Sequence, residues 1–259
     1  MKNLFMFLLA GVFFTTSLFL VSCDEIISDI NTTPAESAVE TMNQFADIFL
    51  VVDDGIILDS TKSGMKITGA DYEEAITGDF PNKLYRWDFG TEGDYQGVIY
   101  ILLTDQLTNP GALATITFED FYHNGQLIDG IQTIENLGVN SNDKQEFRCQ
   151  LENGIKGDMQ LQFDWVIIRN DDGGTQPQDD DIFSISEKNS ASGVDKDGVA
   201  FELTIKKDVT LDISCEYIVT SGLLEILSAG DLLTADFGEG ECDNIVKVGN
   251  KVMEVDIFI

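Results

Sequence analysis

The stretch MQLQFDWVI, residues 159–167, puts Met159, Leu161, Phe163, Trp165 and Ile167 at alternate positions, with Gln160, Gln162 and Asp164 among the residues between them. A period of two is the period of a β-strand, whose side chains point to opposite faces in turn. One apolar face and one polar face in a single run mark an antiparallel sheet with a wet side.

The chain around it repeats the pattern. VAFELTI (199–205) aligns Val199, Phe201, Leu203 and Ile205 on one face. VTLDISCEYIV (209–219) does the same with Val209, Leu211, Ile213, Cys215, Tyr217 and Val219. Further strands are predicted near 83–89, 97–104, 112–123, 126–135, 145–151, 182–187, 222–228, 231–237, 243–248 and 251–259. Turn chemistry punctuates them: Asn124-Gly125 is a strong hairpin signal, and Asn109-Pro110-Gly111 and Gly249-Asn250 read as turns. Prolines 34, 81, 110 and 177 all fall outside the predicted strand interiors, as intact ladders require. Ala114, Ile116 and Phe118 share a parity that Phe121 breaks, which predicts a β-bulge near Glu119-Asp120. WDFGTEG (87–93) and ADFGEGE (235–241) echo each other and read as a duplicated turn.

One segment keeps a helical period instead. Thr33 can cap a helix and Pro34 suits its first turn. Ala38, Met42, Phe45, Phe49 and Val52 then form an apolar stripe for docking onto the sheet. The predicted fold is mainly β: an antiparallel meander or sandwich, or a curled open sheet, with one N-terminal helix over about 34–52. NDDGGTQPQDDD (170–181) reads as a long acidic loop inside one β-rich domain spanning 34–259.

Charge narrows the partners. The chain has 259 residues with 46 Asp and Glu against 15 Lys and Arg, a formal net charge of -31. Nucleic acid is excluded as a partner on this balance, because binding it requires cations to neutralise phosphates. A hydrophobic share of 43% with 17 Phe supplies a core and excludes a disordered chain.

The leading segment carries the clearest address. Leu4 to Ser22 are uncharged after Lys2, and Leu20-Val21-Ser22-Cys23 precedes Asp24 and Glu25. This arrangement resembles the signal and lipobox of bacterial lipoproteins. The resemblance implies a signal peptide over 1–22, lipidation at Cys23 with palmitate-type acyl chains, and a tether over 23–33. Its partner is then the membrane, through the lipid anchor, and its location the outer membrane, either surface-exposed or facing the periplasm. PGALATITFEDFYHNGQLIDG (110–130), SGLLEI (221–226) and ADFGEGECDN (235–244) together resemble uncharacterised cell-envelope lipoproteins of Bacteroidetes. That likeness implies a β-fold and brings no catalytic residue or ligand.

The remaining chemistry is sparse. In an exported chain Cys215 and Cys242 are the candidate disulfide, with two buried thiols as the alternative, and Cys149 reads as a buried free thiol. His123, the only histidine, precedes the Asn-Gly turn and is expected on an exposed shoulder, too isolated for a zinc site or a triad. No cofactor is indicated beyond calcium, for which Asp171, Asp172, Asp195 and Asp197 are weak loop ligands without a full EF-hand spacing. Trp87 with Tyr85 and Phe89, and Trp165 with Phe163, form core faces or a sugar-stacking platform. No acid stands out as having a raised pKa. The reading is an envelope lipoprotein with a non-catalytic binding or structural role and a glycan or protein ligand. The alternatives are a carbohydrate-active or glycan-binding protein and a half-barrel carrier of apolar cargo.

Overall fold

The computed structural model describes residues 31–59, 71–77, 80–170, 181–215, 219–249 and 251–254. The leader, Cys23 and its tether up to residue 30 lie outside them, as do Asp171, Asp172 and residues 255–259. From Thr32 onward the chain forms one unit.

A single helix, α1, spans Thr33–Asp59. The backbone amides of Ala35 and Glu36 both donate to Thr32 O, and the Thr32 hydroxyl donates to Glu36 Oε1 at 2.5 Å. That exchange caps the orphan amides of the first turn. The helix outruns the predicted end at residue 52. Asp53-Asp54-Gly55 reads as a stop, but one glycine costs a helix only about 1 kcal/mol.

Thirteen strands follow among the described residues: β1 (Asp71–Thr77), β2 (Lys83–Asp88), β3 (Tyr95–Leu103), β4 (Leu113–His123), β5 (Gln126–Val139), β6 (Gln145–Lys156) and β7 (Met159–Arg169). The series continues with β8 (Ile182–Val194), β9 (Ala200–Asp212), β10 (Val219–Ser228), β11 (Asp231–Glu239), β12 (Ile245–Val248) and β13 (Lys251–Glu254). They form one sheet whose spatial order is the chain order, and every strand pairs antiparallel with the one before it. The fold is therefore mainly β, an antiparallel meander with one helix near its start.

Three details differ from the sequence reading. β1 was not anticipated. Residues 200–205 and 209–211 belong to one strand, β9, while Val199 stays in the turn before it, and the chain turns at Ile213–Cys215 where the strand pattern would carry it on. The Asp212 carboxylate explains the turn: its Oδ1 accepts from the Ser214 amide at 3.0 Å and hydroxyl at 2.6 Å. Strands β5, β6 and β8 also run several residues past their predicted ends.

The predicted bulge is present. The β4–β5 register shifts between Thr117 and Tyr122, Asp120 adopts φ 46°, and Glu119 and Asp120 stay exposed while Phe121 turns into the core. Its partner on β3 is Gly97, where a Cβ would lie 2.0 Å from Asp120 O. Only glycine lets β3 approach the bulge this closely. The two Asp-Phe-Gly segments share a local geometry. Asp88 Oδ1 accepts from Gly90 N at 2.9 Å, Asp236 Oδ1 accepts from Gly238 N at 3.0 Å, and Phe89 and Phe237 are both buried.

The sheet curls around α1. Phe45 meets Phe118 of β4 and Phe163 of β7 edge-on, with centroids 6.4 and 6.5 Å away. Phe49 meets Phe147 of β6 and Phe183 of β8, both at 5.7 Å. Gln132 of β5 donates from Nε2 to Phe45 O at 3.1 Å, and β10 and β11 also neighbour the helix. Ala35, Val39, Met42, Ala46, Ile48 and Val52 are buried as well, so strands cover the helix on several sides. Burying each phenylalanine contributes about 2–3 kcal/mol. A right-handed twist accumulated over many strands gives the sheet this curl.

The meander gives the sheet two ends. The helix starts where β6 meets β7: Thr41 Oγ1 lies 3.9 Å from Met159 Sδ, and Lys156 Nζ donates to Glu40 O at 3.4 Å. This near end carries the turns leaving even-numbered strands, at 89–94, 124–125, 157–158, 195–199 and 229–230. The far end carries the connections leaving odd-numbered strands, at 104–112, 140–144, 170–181, 213–218 and 240–244.

Candidate functional site

The polar face of α1 is closed off inside the near end. Thr41 hides its hydroxyl against Ser37 O at 2.7 Å, whereas Asn43, Gln44 and Asp47 face the interior with donors and acceptors left over. Ser37 Oγ, both Asn43 amide atoms, Gln44 Nε2 and Asp47 Oδ1 are buried with no hydrogen-bond partner among the described residues. Each such group carries a cost of about 1–3 kcal/mol. Helical spacing brings Glu40, Asn43, Gln44 and Asp47 to one side.

His123, at the end of β4, meets this face. The sequence reading put it on an exposed shoulder, but it is 7% exposed. Its parity explains the correction: the bulge at Glu119-Asp120 turns both Phe121 and His123 inward. His123 Nδ1 bonds Gln44 Oε1, so that nitrogen carries the proton, and Nε2 accepts from Asn124 Nδ2 at 3.2 Å. The ring stacks on Tyr95 of β3, with centroids 4.3 Å apart and planes 9° from parallel.

Burial sets the charge state of this cluster. Desolvation pushes the Asp47 carboxyl well above its ordinary range, partly offset by the Lys156 ammonium. Desolvation lowers His123 to about 4, with Lys156 adding to the shift. Lys156 is lowered by its own burial, although Glu40 and Asp47 pull the other way. The Tyr95 phenol is raised by burial and by Asp47 and Asp94. Burial thus disfavours charge on both Asp47 and His123, and both imidazole nitrogens are occupied. Lowered to about 4 and bonded at both nitrogens, His123 is not a ready proton acceptor at neutral pH.

Asp47 is the residue that the sequence reading missed. The signal was its neighbourhood: in FADIFLVV (45–52) it is the one charged residue of an otherwise apolar run.

The far end holds a cleft of about 400 Å³. It lies between the β3–β4 connection, the end of β5, the β5–β6 turn and the end of β7, with Thr108, Pro110, Asn136, Lys144, Gln145 and Arg169 on its walls. Arg169 Nη1 donates to Gln145 Oε1 at 2.8 Å, and its Nε sits 3.1 Å from Asp181 Oδ2 as an ion pair without hydrogen-bond alignment. The guanidinium also covers the rings of Phe147 and Phe183, at 5.7 and 5.1 Å from their centroids. Lys144 Nζ donates to Asn170 Oδ1 at 2.9 Å. At the same end of the sheet a disulfide joins Cys215 to Cys242, with Cα atoms 5.3 Å apart.

Other predicted residues take structural places. Asp195 is buried and holds the β8–β9 turn, its Oδ1 accepting from Asp197 N at 2.9 Å and Val199 N at 2.7 Å. Asp197 is exposed, and the structure brings no third ligand to the pair. Among the described residues no group of three or more His, Cys, Asp or Glu could hold a metal ion. Trp87 and Trp165 are both 1% exposed, and Phe163 stacks on Trp165 at 3.6 Å, so these aromatics are core and offer no sugar platform. Cys149 is a buried free thiol, and burial pushes it up to about 12. No described helix is long and apolar enough to cross a membrane.

Comparison with protein-family models, with curated proteins and with solved structures gives no match.

Proposed function

We propose that the chain is an exported lipoprotein held in the outer membrane by acyl chains on Cys23, with a non-catalytic binding or structural role there. The observation that carries this reading is Leu20-Val21-Ser22-Cys23 closing an uncharged run and followed at once by two acids. More than one acyl chain gives lasting attachment, since each buried methylene contributes about 0.8 kcal/mol and a single chain is marginal. The folded unit begins at Thr32, which leaves a tether able to reach roughly 30 Å from Cys23.

Two features of the domain fit that role. A disulfide between Cys215 and Cys242 suits a compartment outside the cytoplasm. The concave face of the sheet is occupied by α1, which favours a fixed module over a carrier that needs this face for apolar cargo. A glycan-binding form of the reading has one specific support, the far-end cleft.

Metabolic labelling of the producing cells with an alkyne fatty acid tests the anchor. The full chain should take the label and partition with membranes, and Cys23→Ala should lose both. Labelling that persists in Cys23→Ala would overturn the proposal.

A further inference from the structure

We infer that the far-end cleft binds a small ligand bearing one carboxylate and several hydroxyls, of the class of an acidic monosaccharide. The argument begins with charge. Acids outnumber bases 46 to 15 along the chain, yet at the cleft the two signs balance, with Lys144 and Arg169 on its wall against Asp143 there and Asp181 behind Arg169 as its ion-pair partner. In a strongly acidic protein a patch without net negative charge, with a lysine ammonium on its wall, is a site where an anion can settle against the general field.

The walls are also built to stay in place. Asn136 is buried, and its side chain ties the β3–β4 connection to the end of β5. Its Nδ2 donates to Leu107 O at 2.7 Å, while its Oδ1 accepts from Gly138 N at 2.7 Å. Its backbone is tied as well: Gly111 N donates to Asn136 O at 2.7 Å, and Asn136 N to Ala112 O at 2.9 Å. Gly138 adopts φ +88° and passes so near Pro110 that a Cβ would sit 3.4 Å from the proline ring. Arg169 is oriented by two aromatic rings, Gln145 and Asp181, so its planar fork does not have to be ordered by the ligand. Lys144 commits one of its three ammonium protons to Asn170.

Size and remaining chemistry narrow the ligand. About 400 Å³ is near the small end of ligand pockets, suited to a single sugar ring. Thr108 and Gln145 offer groups for hydroxyls, and Pro110 with the exposed Val139 gives an apolar wall for the C–H face of a ring. The site stands on this geometry alone. It does not depend on the Cys23 reading.

Isothermal titration of the purified full chain with sodium glucuronate tests the inference, alongside glucose and glucose 6-phosphate. Glucuronate should bind with a Kd of about 1 mM or tighter. Glucose and glucose 6-phosphate should bind at least tenfold more weakly. Lys144→Gln and Arg169→Gln should each weaken glucuronate at least tenfold. Lys196→Gln, an equal change in net charge in the β8–β9 turn at the near end, should leave it unchanged. No glucuronate binding, equal binding of either other sugar, or equal loss in Lys196→Gln would each overturn it. Arg169 is largely buried, so if its variant unfolds, the half-buried turn variant Lys144→Gln decides. Fatty-acid labelling is read separately, so loss of binding and loss of the anchor are distinguishable.

Discussion

At the near end β4 becomes β5 through Asn124 and Gly125 alone, both with positive φ, whereas at the far end β3 reaches β4 only after residues 104–112. The two-residue turns match the twist of their strands and leave little room for anything but the hairpin. The near end places its polar groups inside, where His123 bonds Gln44 under the turns and Asp47 is buried three residues further along the helix. The far end places its cations in an open cleft and ties its connections with a disulfide. One sheet thus separates the two tasks, closing at one end and presenting at the other. Loops that carry a site need a frame, and for the cleft that frame is Asn136 and Arg169.

That contrast is most open to attack through the disulfide. It closes a loop with a sequence separation of 27, so removing it in the double variant Cys215→Ser/Cys242→Ser should cost about 3 to 4 kcal/mol in the chain-entropy model. Urea melts measure the loss. Amide exchange should show it first in residues 213–215 and 240–244, with the near-end hairpins still protected. Uniform loss of protection at both ends, or a loss below about 1 kcal/mol, would show that the far end does not depend on its covalent tie.

The next effect has the opposite sign and lies at the near end. Burial raises the Asp47 carboxyl in the fold, while in the unfolded chain it ionises at about pH 3.9. Above that pH folding must take up a proton, so this group makes stability fall as pH rises from about 4 toward its elevated folded value. Asp47→Asn needs no proton and should be more stable than the parent at pH 7 by about 2 kcal/mol, the scale of one poorly satisfied buried group. At pH 4 the gain should be less than half as large. A gain that does not change with pH, or a loss at pH 7, would contradict a raised carboxyl at Asp47.

Much of the architecture was legible because it is local. Alternation in 159–167, the Asn124-Gly125 turn and the parity break before Phe121 each state their geometry within a few residues. The curl was not legible, because it arises from twist summed along the sheet and from which strands happen to cover Phe45 and Phe49. The turn at 213–215 was hidden by an alternating run that continues across it. There the Asp212 side chain overrides the pattern by bonding the Ser214 amide. Asp195 and Asp197 look like ligands in sequence, yet Asp195 spends its Oδ1 on two backbone amides. The near-end cluster and the far-end cleft both join residues far apart in the chain, Gln44 with His123 and Lys144 with Arg169. Sequence spacing carries no record of such meetings.

The third effect is the cleanest to read, because His123 is the only histidine in the chain. Its imidazole titrates at about 4 in the fold and near 6.5 when unfolded, so the unfolded chain binds the extra proton first. Its contribution is therefore fully present above about pH 6.5, is lost as pH falls toward about 4, and changes no further below that. This slope opposes the one from Asp47, and the two overlap between pH 4 and 6.5. Asp47→Asn should leave the histidine slope standing alone, and the further change His123→Gln should flatten it while keeping an acceptor and a donor beside Gln44. Ring proton resonances followed by NMR give the midpoint directly. A value between 6 and 7 would mean that water reaches the imidazole, and the near end would then be as open as the far one.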